Sequence, residues 1–251
     1  MKIAAPAGAA TQMTEPKVTI VIPIYNEEAI LRSSVVDLID RLKEFDFPYE
    51  LFLAENGSID STVAICEELS QRFPQVRFSS VGSPGHGNYG RALRQAILEA
   101  RGEYVFCDEI DLCDTEFYAL ALALLEARGA DLVIGSKLAQ GARDERPLLR
   151  HAGSIVINGM LRATLGFKGT DTHGLKAFRR SVLAPIAQAC VVDKDLFASE
   201  FVIRAERAGI AIREIPVRVK EKRAPSIHLF RRVPNVLTNL AKLVVAIRLK
   251  G

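Results

Sequence analysis

The chain is poor in cysteine and histidine, and both shortages exclude classes of protein. It has 4 Cys among 251 residues, none of them in a close CxxC pair. This scatter excludes a disulfide framework and is typical of a protein from a reducing cytosol. The 4 His lie far apart without HxxxH or HExxH spacing, and no GxSxG motif occurs. The sequence therefore predicts neither a zinc site nor a serine hydrolase of the usual kind.

Long apolar runs are also missing. No stretch approaches the roughly 20 apolar residues that a membrane-spanning helix needs. Residues 1–16 are small, polar and proline-containing, and they lack the long apolar region of a signal peptide. We therefore expect residues 1–16 to form a flexible tail on a cytoplasmic protein.

An excess of charge of one sign is missing as well. The 33 basic and 30 acidic residues leave a formal net charge of +3, which does not indicate a nucleic-acid partner. The length and the hydrophobic fraction of 49% fit one well-filled domain with an accessory tail region. Because no internal repeat or linker is visible, we assign that domain to residues 17–228.

Strand and helix patterns alternate over roughly the first 140 residues. The β-branched run "VTIVIPI" is typical of a strand buried on both faces, and Leu31, Val35 and Leu38 follow at helical spacing. Four more strands follow in the same way, and Gly102 is expected to end the third helix. The order predicts an α/β fold with a mostly parallel sheet and helices on both faces. Further on, "THGLKAFRR" fits a strand or a sheet edge.

Polar or glycine-rich loops follow the first four predicted strands. In open α/β sheets, ligands bind outside the carboxyl ends of the strands. We therefore expect the four loops to meet in one crevice. Their sequences are "YNEE", "ENGSID", "GSPGHGNYG" and "DEIDLCD".

The second and third loops each allow more than one interpretation. In the second, Ser58 or Asp60 would cap a helix after an Asx-type turn, or Glu55 would accept hydrogen bonds from a base or a ribose. The third contains "GHGNYG", which matches the dinucleotide fingerprint GxGxxG but follows the third strand instead of the first. It is a nicotinamide or flavin site, a loop whose glycines supply positive φ, or a loop that lets the backbone approach a ligand.

The fourth loop concentrates acidic residues directly after an apolar strand. Asp114 fits the N-cap of the next helix. Capping does not explain Asp108, Glu109 and Asp111, which repel one another beside the protein interior. Clustered carboxylate oxygens suit Mg²⁺ or Mn²⁺, which usually bridge to the phosphates of a substrate. The loop therefore predicts a divalent-cation site.

The later part of the chain is rich in basic residues. Most of them are expected to be solvated, while those nearest the crevice would hold phosphate. Residues 229–251 form a predicted basic amphipathic helix, which contacts a membrane surface or a membrane-protein partner, or packs on its own domain or a second subunit. Peripheral attachment to the inner face of the membrane would follow from the first alternative. The basic residues are Lys137, Arg143, Arg146, Arg150, Lys168, Lys176, Arg179, Arg180 and those from Arg218 to Arg223.

In this order, the loops resemble the motifs of the family 2 glycosyltransferases, which have the nucleotide-sugar-binding GT-A fold. "VIPIYNEE" is similar to VxIPxYNE, "ENGSIDST" to DDGSxDxT, and the "EID" of the fourth loop to DxD. The later "GTDTHGLKAF", "SEFVIRAERAGIAIREIPV" and "EKRAPS" most resemble the dolichyl- or polyprenyl-phosphate hexose synthases. The resemblance covers about residues 17–228. It implies a GT-A fold, which is a Rossmann-like α/β sheet, followed here by the C-terminal amphipathic helix.

The resemblance also implies roles for individual residues. Glu109 and Asp111 would face Mg²⁺ or Mn²⁺ and the donor diphosphate, and Asp111, Lys176 and Arg223 would form the catalytic group. The implied contacts with the nucleotide sugar are Pro23, Tyr25, Glu27, Glu55, Gly57, Ser58, Gly87, Asp108 and Glu109. The implied contacts with the acceptor phosphate are Lys137, Arg150, Ser154 and His173.

The sequence departs from the family motifs at several positions. Glu stands at the first DxD place, ENGS replaces DDGS, and Cys113 stands where some synthases have a polar metal ligand. The expected function is an inverting transfer of a hexose from a nucleotide-diphosphate sugar to a polyprenyl phosphate. The alternatives are a soluble sugar or metabolite acceptor, or a catalytically silent nucleotide-sugar-binding homologue. A hydroxyl acceptor would need a general base, for which Asp171, His173 and Glu200 are candidates.

Overall fold

The structure is a computed structural model that describes residues 15–194, 196–219 and 229–249. The predicted tail 1–16 therefore lies almost wholly outside the described residues, as does Arg223. The strands are β1 (Val18–Ile24), β2 (Tyr49–Glu55), β3 (Val76–Ser80), β4 (Tyr104–Cys107), β5 (Leu132–Ser136), β6 (Arg143–Asp144), β7 (Leu175–Arg179), β8 (Ile212–Pro216) and β9 (Arg218–Val219). The helices are α1 (Leu31–Leu42), α2 (Thr62–Arg72), α3 (Tyr89–Glu99), α4 (Thr115–Glu126), α5 (Leu148–Leu165), α6 (Arg180–Ala189), α7 (Phe197–Arg207) and α8 (Leu229–Leu249).

A seven-stranded sheet in the order β3-β2-β1-β4-β7-β5-β8 forms the centre of the molecule. All neighbouring strands run parallel except β7, which is antiparallel to both β4 and β5. The short strands β6 and β9 pair separately, also in parallel. The predicted mostly parallel α/β sheet is thereby confirmed.

Both faces of the sheet are covered, which explains why its central strands are apolar throughout. The residues of β1 alternate between two hydrophobic clusters: Ile20 and Ile22 point to the side of α1, α2 and α4, and Val21 points to the other side. There it packs with residues of α3, α6 and α7, and the buried part of α5 joins the same cluster. Burial on both faces favours the β-branched residues from which these strands are built.

The described part of α8 packs on its own domain. Leu243 and Ile247 are buried in the cluster that also contains Leu161 and Leu165 of α5. The Arg207 guanidinium of α7 donates to the carbonyl oxygens of Ile247 and Leu165, both at 3.1 Å. No helix among the described residues is long and apolar enough to cross a bilayer. Packing on the domain is therefore confirmed for this part of α8, and membrane contact by α8 stays a prediction.

Two local predictions that named alternatives are confirmed in one alternative each, and a third was wrong. The segment "THGLKAFRR" is a strand, β7, which lies in the middle of the sheet and not at its edge. Helix α3 ends at Glu99, before Gly102, and Gly102 is instead required because a Cβ there would lie 2.5 Å from the backbone nitrogen of Thr19. Ser58 does not cap α2, whereas the Asp60 carboxylate accepts from the Thr62 N–H at 3.0 Å.

Candidate functional site

The loops after β1 and β2 are joined by hydrogen bonds through Asn26. Its N–H donates to the Ser58 hydroxyl at 3.0 Å, and its side-chain oxygen accepts from the Ile59 N–H at 2.9 Å. Asn26 itself has φ 53, a left-handed conformation that asparagine tolerates better than most residues. One residue further, the Glu27 N–H donates to the Thr62 hydroxyl at 2.8 Å. The first two loops therefore form one unit, as expected for parallel strands.

The loop after β3 is joined to the loop after β2 by close backbone contacts. The Gly85 N–H donates to the Gly57 carbonyl at 2.8 Å, and the Asn88 N–H donates to the Asn56 side chain at 2.5 Å. Gly57 has φ 80, and a Cβ on it would lie 2.5 Å from the Ser83 carbonyl oxygen. Only glycine meets both conditions, so Gly57 is required for the chain to turn here.

The "GHGNYG" run does not have the context of a dinucleotide fingerprint. It follows β3, the edge strand of the sheet, whereas the fingerprint belongs to the turn after the first strand. Gly85 has φ 77, which agrees with the interpretation that a glycine supplies positive φ. Gly87 approaches the ring of Tyr25, and a Cβ there would lie 3.0 Å from a ring carbon. Tyr25 is exposed and Pro23 is half-buried.

Glu55 is fully buried at the end of β2. Its carboxylate accepts from the Ser58 N–H at 2.5 Å and from the Ser80 hydroxyl. Burial alone would raise the pKa of Glu55, but these hydrogen bonds outweigh burial and leave the pKa lowered. Both oxygens of Glu55 thus hold the loop together, and its contact with the base of the donor stays a prediction.

Asp108 is likewise buried, and it orders the acidic turn from within. It accepts from the N–H groups of Glu109 at 2.6 Å and Asp114 at 3.0 Å, and from the Tyr118 hydroxyl at 2.5 Å. Burial raises the pKa of Asp108 to about 7, although these hydrogen bonds act in the opposite direction. All three of these donors belong to the turn and to α4, and the contact of Asp108 with the nucleotide sugar stays a prediction.

Glu109 and Asp111 are the carboxylates of the acidic turn that line the cleft. The pKa of Glu109 is raised by the surrounding protein and by the negative charge of Asp111, against the opposing effect of Lys137. Asp114 caps α4 by accepting from the Phe117 N–H at 3.0 Å, which confirms its predicted role. Cys113 is buried in the core and offers no ligand to the cleft.

A divalent cation fits the two carboxylates of this pair. Their mutual repulsion would be relieved by a cation, and hard carboxylate oxygens are the ligands that Mg²⁺ and Mn²⁺ prefer. No group of three or more His, Cys, Asp or Glu able to hold a metal occurs among the residues that the structure describes.

Basic side chains line the same cleft. Lys137, Arg146 and Arg150 line it together with Glu109 and Asp111. His173 also lines the cleft, and it is half-buried with its Nδ1 at 3.1 Å from the Thr172 hydroxyl. The predicted acidic turn and three basic residues from the later part of the chain are thus brought together in one cleft.

Lys137 is held by a buried carboxylate. Its ammonium lies 2.7 Å from Asp171, which is fully buried. Burial opposes ionisation of this carboxyl, but Lys137 and the His173 N–H leave the pKa of Asp171 lowered. Because Asp171 is ionised and already paired, it is a poor general base.

Arg146 is held in the same way by Asp144. The guanidinium donates from Nε at 2.7 Å and from Nη2 at 2.6 Å to the two carboxylate oxygens. His151 contacts the same carboxylate at 3.0 Å. Burial would raise the pKa of Asp144, yet the hydrogen bonds from Arg146 and His151 hold it well below its usual range.

Asp144 and Arg146 are the functional residues that the sequence reasoning missed. Arg146 belonged to the basic residues treated as mostly solvated, and no motif pointed to Asp144. The only available signal was the "RDERP" run before a predicted helix, which combines both charges at a helix start.

Ser154 contacts Arg146 at 3.3 Å and the Arg150 carbonyl at 3.1 Å, so its predicted contact with phosphate stays a prediction.

Lys176 lies buried on β7, beside Cys107 of β4. Its ammonium donates to the Gly174 carbonyl at 2.8 Å. Burial lowers the pKa of Lys176 to about 8, against the opposing effects of Cys107 and Asp171.

The third general-base candidate, Glu200, is corrected: it is fully buried and accepts from the N–H groups of Val191 and Val192.

The curated relatives that this chain matches are sugar transferases. It is 28% identical over 235 residues to Glycosyltransferase AglD of Haloferax volcanii, covering 91% of this chain and 36% of that protein. It is also 28% identical over 223 residues to the Dolichyl-phosphate beta-glucosyltransferase of Saccharomyces cerevisiae, covering 79% of this chain and 65% of that protein. The chain thus spans less than two thirds of the length of either relative.

The solved structures agree on the fold. Glucosyl-3-phosphoglycerate synthase from Mycobacterium tuberculosis, in complex with Mn²⁺, uridine-diphosphate-glucose and phosphoglyceric acid, superposes with a TM-score of 0.64 at 20% identity. The match covers 91% of this chain and 80% of that chain. Residues 19–186 match the family described as Glycosyl transferase family 2. The chain therefore belongs to glycosyl transferase family 2, as its loops led us to expect.

Proposed function

We propose that this protein is an inverting glycosyltransferase that moves a hexose from a nucleotide-diphosphate sugar to a polyprenyl phosphate. One observation carries the proposal: the acidic pair Glu109 and Asp111 lines a single cleft together with Lys137 and Arg146, each of which is held by a carboxylate. Such a cleft suits two phosphate-bearing substrates, one of which brings a divalent cation.

The donor is proposed to occupy the acidic side of the cleft. The mycobacterial fold relative binds uridine-diphosphate-glucose together with Mn²⁺, which makes a uridine donor the first to test. Tyr25, exposed beside Gly87, would give the base a flat surface. Glu109 and Asp111 would hold Mg²⁺ or Mn²⁺, which neutralises the charge that grows on the departing diphosphate.

The acceptor phosphate is proposed to bind the basic side chains of the cleft. Lys137 and Arg146 are each fixed by a buried carboxylate, so their side chains lose little freedom when an anion binds. A phosphate monoester is already anionic and needs orientation more than deprotonation. This agrees with Asp171 and Glu200 being occupied inside the fold. The Saccharomyces cerevisiae relative, a Dolichyl-phosphate beta-glucosyltransferase, supports a lipid-linked acceptor.

A soluble acceptor is the second candidate, and one observation favours it. The mycobacterial fold relative is a glucosyl-3-phosphoglycerate synthase, and phosphoglyceric acid also carries a phosphate. The same basic side chains would hold either phosphate. A soluble acceptor would make membrane attachment unnecessary, whereas a polyprenyl phosphate requires it. The predicted cytoplasmic location belongs to both proposals, and it is supported by four free, buried cysteines.

A direct transfer assay tests the proposal. Uridine-, guanosine- and thymidine-diphosphate hexoses are supplied with a short-chain polyprenyl phosphate or with 3-phosphoglycerate, in Mn²⁺ or in chelator. We expect hexose transfer to the polyprenyl phosphate with Mn²⁺ and its loss in Asp111→Asn. The matched control is Asp114→Asn, the same change in the same turn at a residue that caps α4, which should keep activity. Absence of transfer from every donor, or full activity in Asp111→Asn, would overturn the proposal.

A further inference from the structure

Residues 169–174, "GTDTHG", form the loop that enters β7. The loop supplies Asp171, whose carboxylate lies 2.7 Å from the Lys137 ammonium in the cleft. Both side chains are buried, and a buried ion pair is favourable only while its geometry is good. The position of the Lys137 ammonium therefore depends on the backbone that carries Asp171.

Glu214 of β8 holds the backbone of this loop through both of its carboxylate oxygens. Oε1 accepts from the Thr170 N–H at 2.7 Å and from the Asp171 N–H at 3.4 Å. Oε2 accepts from the Thr170 hydroxyl at 2.7 Å. Gly169 makes room for this approach, because a Cβ there would lie 2.7 Å from Oε1. Hydrogen bonds to an ionised carboxylate are stronger than neutral ones, so Glu214 fixes the part of the loop that carries Asp171.

A chain of hydroxyl groups extends this hold to the other partner of the ion pair. Because a carboxylate only accepts, the Thr170 hydroxyl donates to Glu214, and the Ser136 hydroxyl, 2.6 Å away, donates to Thr170. The Ser136 oxygen accepts in turn from the N–H groups of the two residues after Lys137, at 3.1 and 3.0 Å. Glu214 therefore anchors the backbone on both sides of the Lys137–Asp171 pair, directly on one side and through two hydroxyl groups on the other.

We propose that Glu214 is a positioning residue for the phosphate site, because it sets where the Lys137 ammonium stands in the cleft. Glu214 itself is not among the described residues that line the cleft, so it acts on a bound phosphate through Lys137. An ammonium that is already held in place loses less freedom when an anion binds, which favours affinity. That the phosphate belongs to a polyprenyl acceptor rests on the proposed function, whereas the coupling between Glu214 and Lys137 is measurable with phosphate alone.

The KM values for acceptor and donor test the positioning role in the transfer assay. We expect Glu214→Ala to raise the KM for the polyprenyl phosphate about tenfold and to leave the KM for the donor unchanged. Glu214→Gln keeps one oxygen for the Thr170 N–H and should stay within about threefold of the wild type. The matched control is Glu206→Ala, which removes a carboxylate that accepts from the Lys168 N–H just outside the loop, at 3.1 Å, and should change neither KM. An unchanged acceptor KM in Glu214→Ala, or equal increases of both KM values, overturns the proposal.

Calorimetric titration with inorganic phosphate tests the coupling without any sugar transfer. The wild type, Glu214→Ala, Lys137→Gln and the double variant are compared, and thermal unfolding shows which of them are folded. We expect Glu214→Ala to weaken phosphate binding about tenfold alone and less than about twofold when Lys137→Gln is present. Thr170→Val, which breaks the hydroxyl chain and keeps the carboxylate, should lose about threefold in the same way and replaces Glu214→Ala if that variant is unfolded. Equal losses with and without Lys137→Gln, or no phosphate binding by the wild type, overturn the proposal.

The outcomes separate the positioning role from transfer. Phosphate binding that depends on Glu214 through Lys137, without hexose transfer by the wild type, leaves the positioning role intact and refutes the proposed function. Hexose transfer by the wild type, combined with equal losses of phosphate binding with and without Lys137→Gln, supports the proposed function and overturns the positioning role.

Discussion

The loops of the proposed donor side and the proposed acceptor side of the cleft use buried carboxylates in opposite ways. On the donor side, Glu55 and Asp108 accept hydrogen bonds only from N–H and hydroxyl groups, and so they shape loops. On the acceptor side, Asp144 and Asp171 each pair with a cation that lines the cleft. The buried carboxylates on the first side accept hydrogen bonds that order the loops. Those on the second side pair with the cations that line the cleft. The acids left to face a ligand are Glu109 and Asp111.

The largest effect is expected from Asp111→Asn, which removes a charge from the acidic pair. Loss of a group that stabilises developing negative charge typically costs about 10³ in rate, or roughly 4 kcal/mol. The rate of hexose transfer at saturating donor and acceptor measures it. Asp114→Asn should stay within about threefold of the wild type, because asparagine also caps helices. Equal losses in both variants would show that the turn is needed for folding only.

Asp144→Ala is expected to have the next largest effect. It leaves the Arg146 guanidinium without its bidentate partner, which should cost about 2–3 kcal/mol of the free energy of unfolding in urea. The freed guanidinium should also raise the KM for the acceptor while that for the donor stays unchanged. A raised KM for the donor would contradict the proposal that Arg146 holds the acceptor.

The third expectation concerns the pH dependence of stability, which should have opposite signs for the two kinds of buried acid. The folded pKa of Asp108 is raised to about 7, so its contribution is lost as pH rises from about 4 to 7. The folded pKa of Asp144 is lowered, so its contribution is present above about pH 4 and lost as pH falls below it.

Urea unfolding at pH 4.5 and pH 7 measures this difference. Relative to the wild type, Asp108→Asn should gain on the order of 1–2 kcal/mol between the two pH values. Asp144→Asn should be less stable than the wild type at both. If the stability of both variants relative to the wild type changed in the same direction between the two pH values, the opposite signs expected for Asp108 and Asp144 would be refuted.

The smallest effect is expected from pH acting on Lys176. Its pKa is about 8, so it loses its charge as pH rises through that value, and an anionic substrate is then held less well. Transfer, measured as kcat/KM for the acceptor, should fall about tenfold per pH unit above 8. Lys176→Arg stays charged and should move this fall to higher pH. An unchanged profile in Lys176→Arg would assign the fall to another group.

The sequence predicted the donor side better than the acceptor side. Alternating strands and helices bring the loops after β1 to β4 to one edge of the sheet, and Asp114 caps α4 as its position before "TEFY" indicated. Motif position does not reveal side-chain direction, however. Glu55 and Asp108 occupy the expected places in the chain, but hydrogen-bond donors of the tertiary structure turn them inward.

The proposed acceptor side could not be predicted from the sequence, because it depends on contacts between residues that are far apart in the chain. The segment "THGLKAFRR" predicts a strand but reveals neither the antiparallel direction of β7 nor its place between β4 and β5. The pairing of Lys137 with Asp171 joins residues 34 apart in sequence, and no local pattern encodes it. The roles of Asp144 and Arg146 depend in turn on where β6 and α5 place them beside the cleft.

The central claim is that Glu109 and Asp111 hold a divalent cation shared with a diphosphate. Calorimetric titration of uridine diphosphate, with and without Mn²⁺, tests it most directly. We predict that Mn²⁺ tightens binding at least about tenfold in the wild type and in Asp114→Asn, and that this gain disappears in Asp111→Asn. Equal affinities with and without Mn²⁺ in the wild type, or an undiminished gain in Asp111→Asn, would contradict the claim.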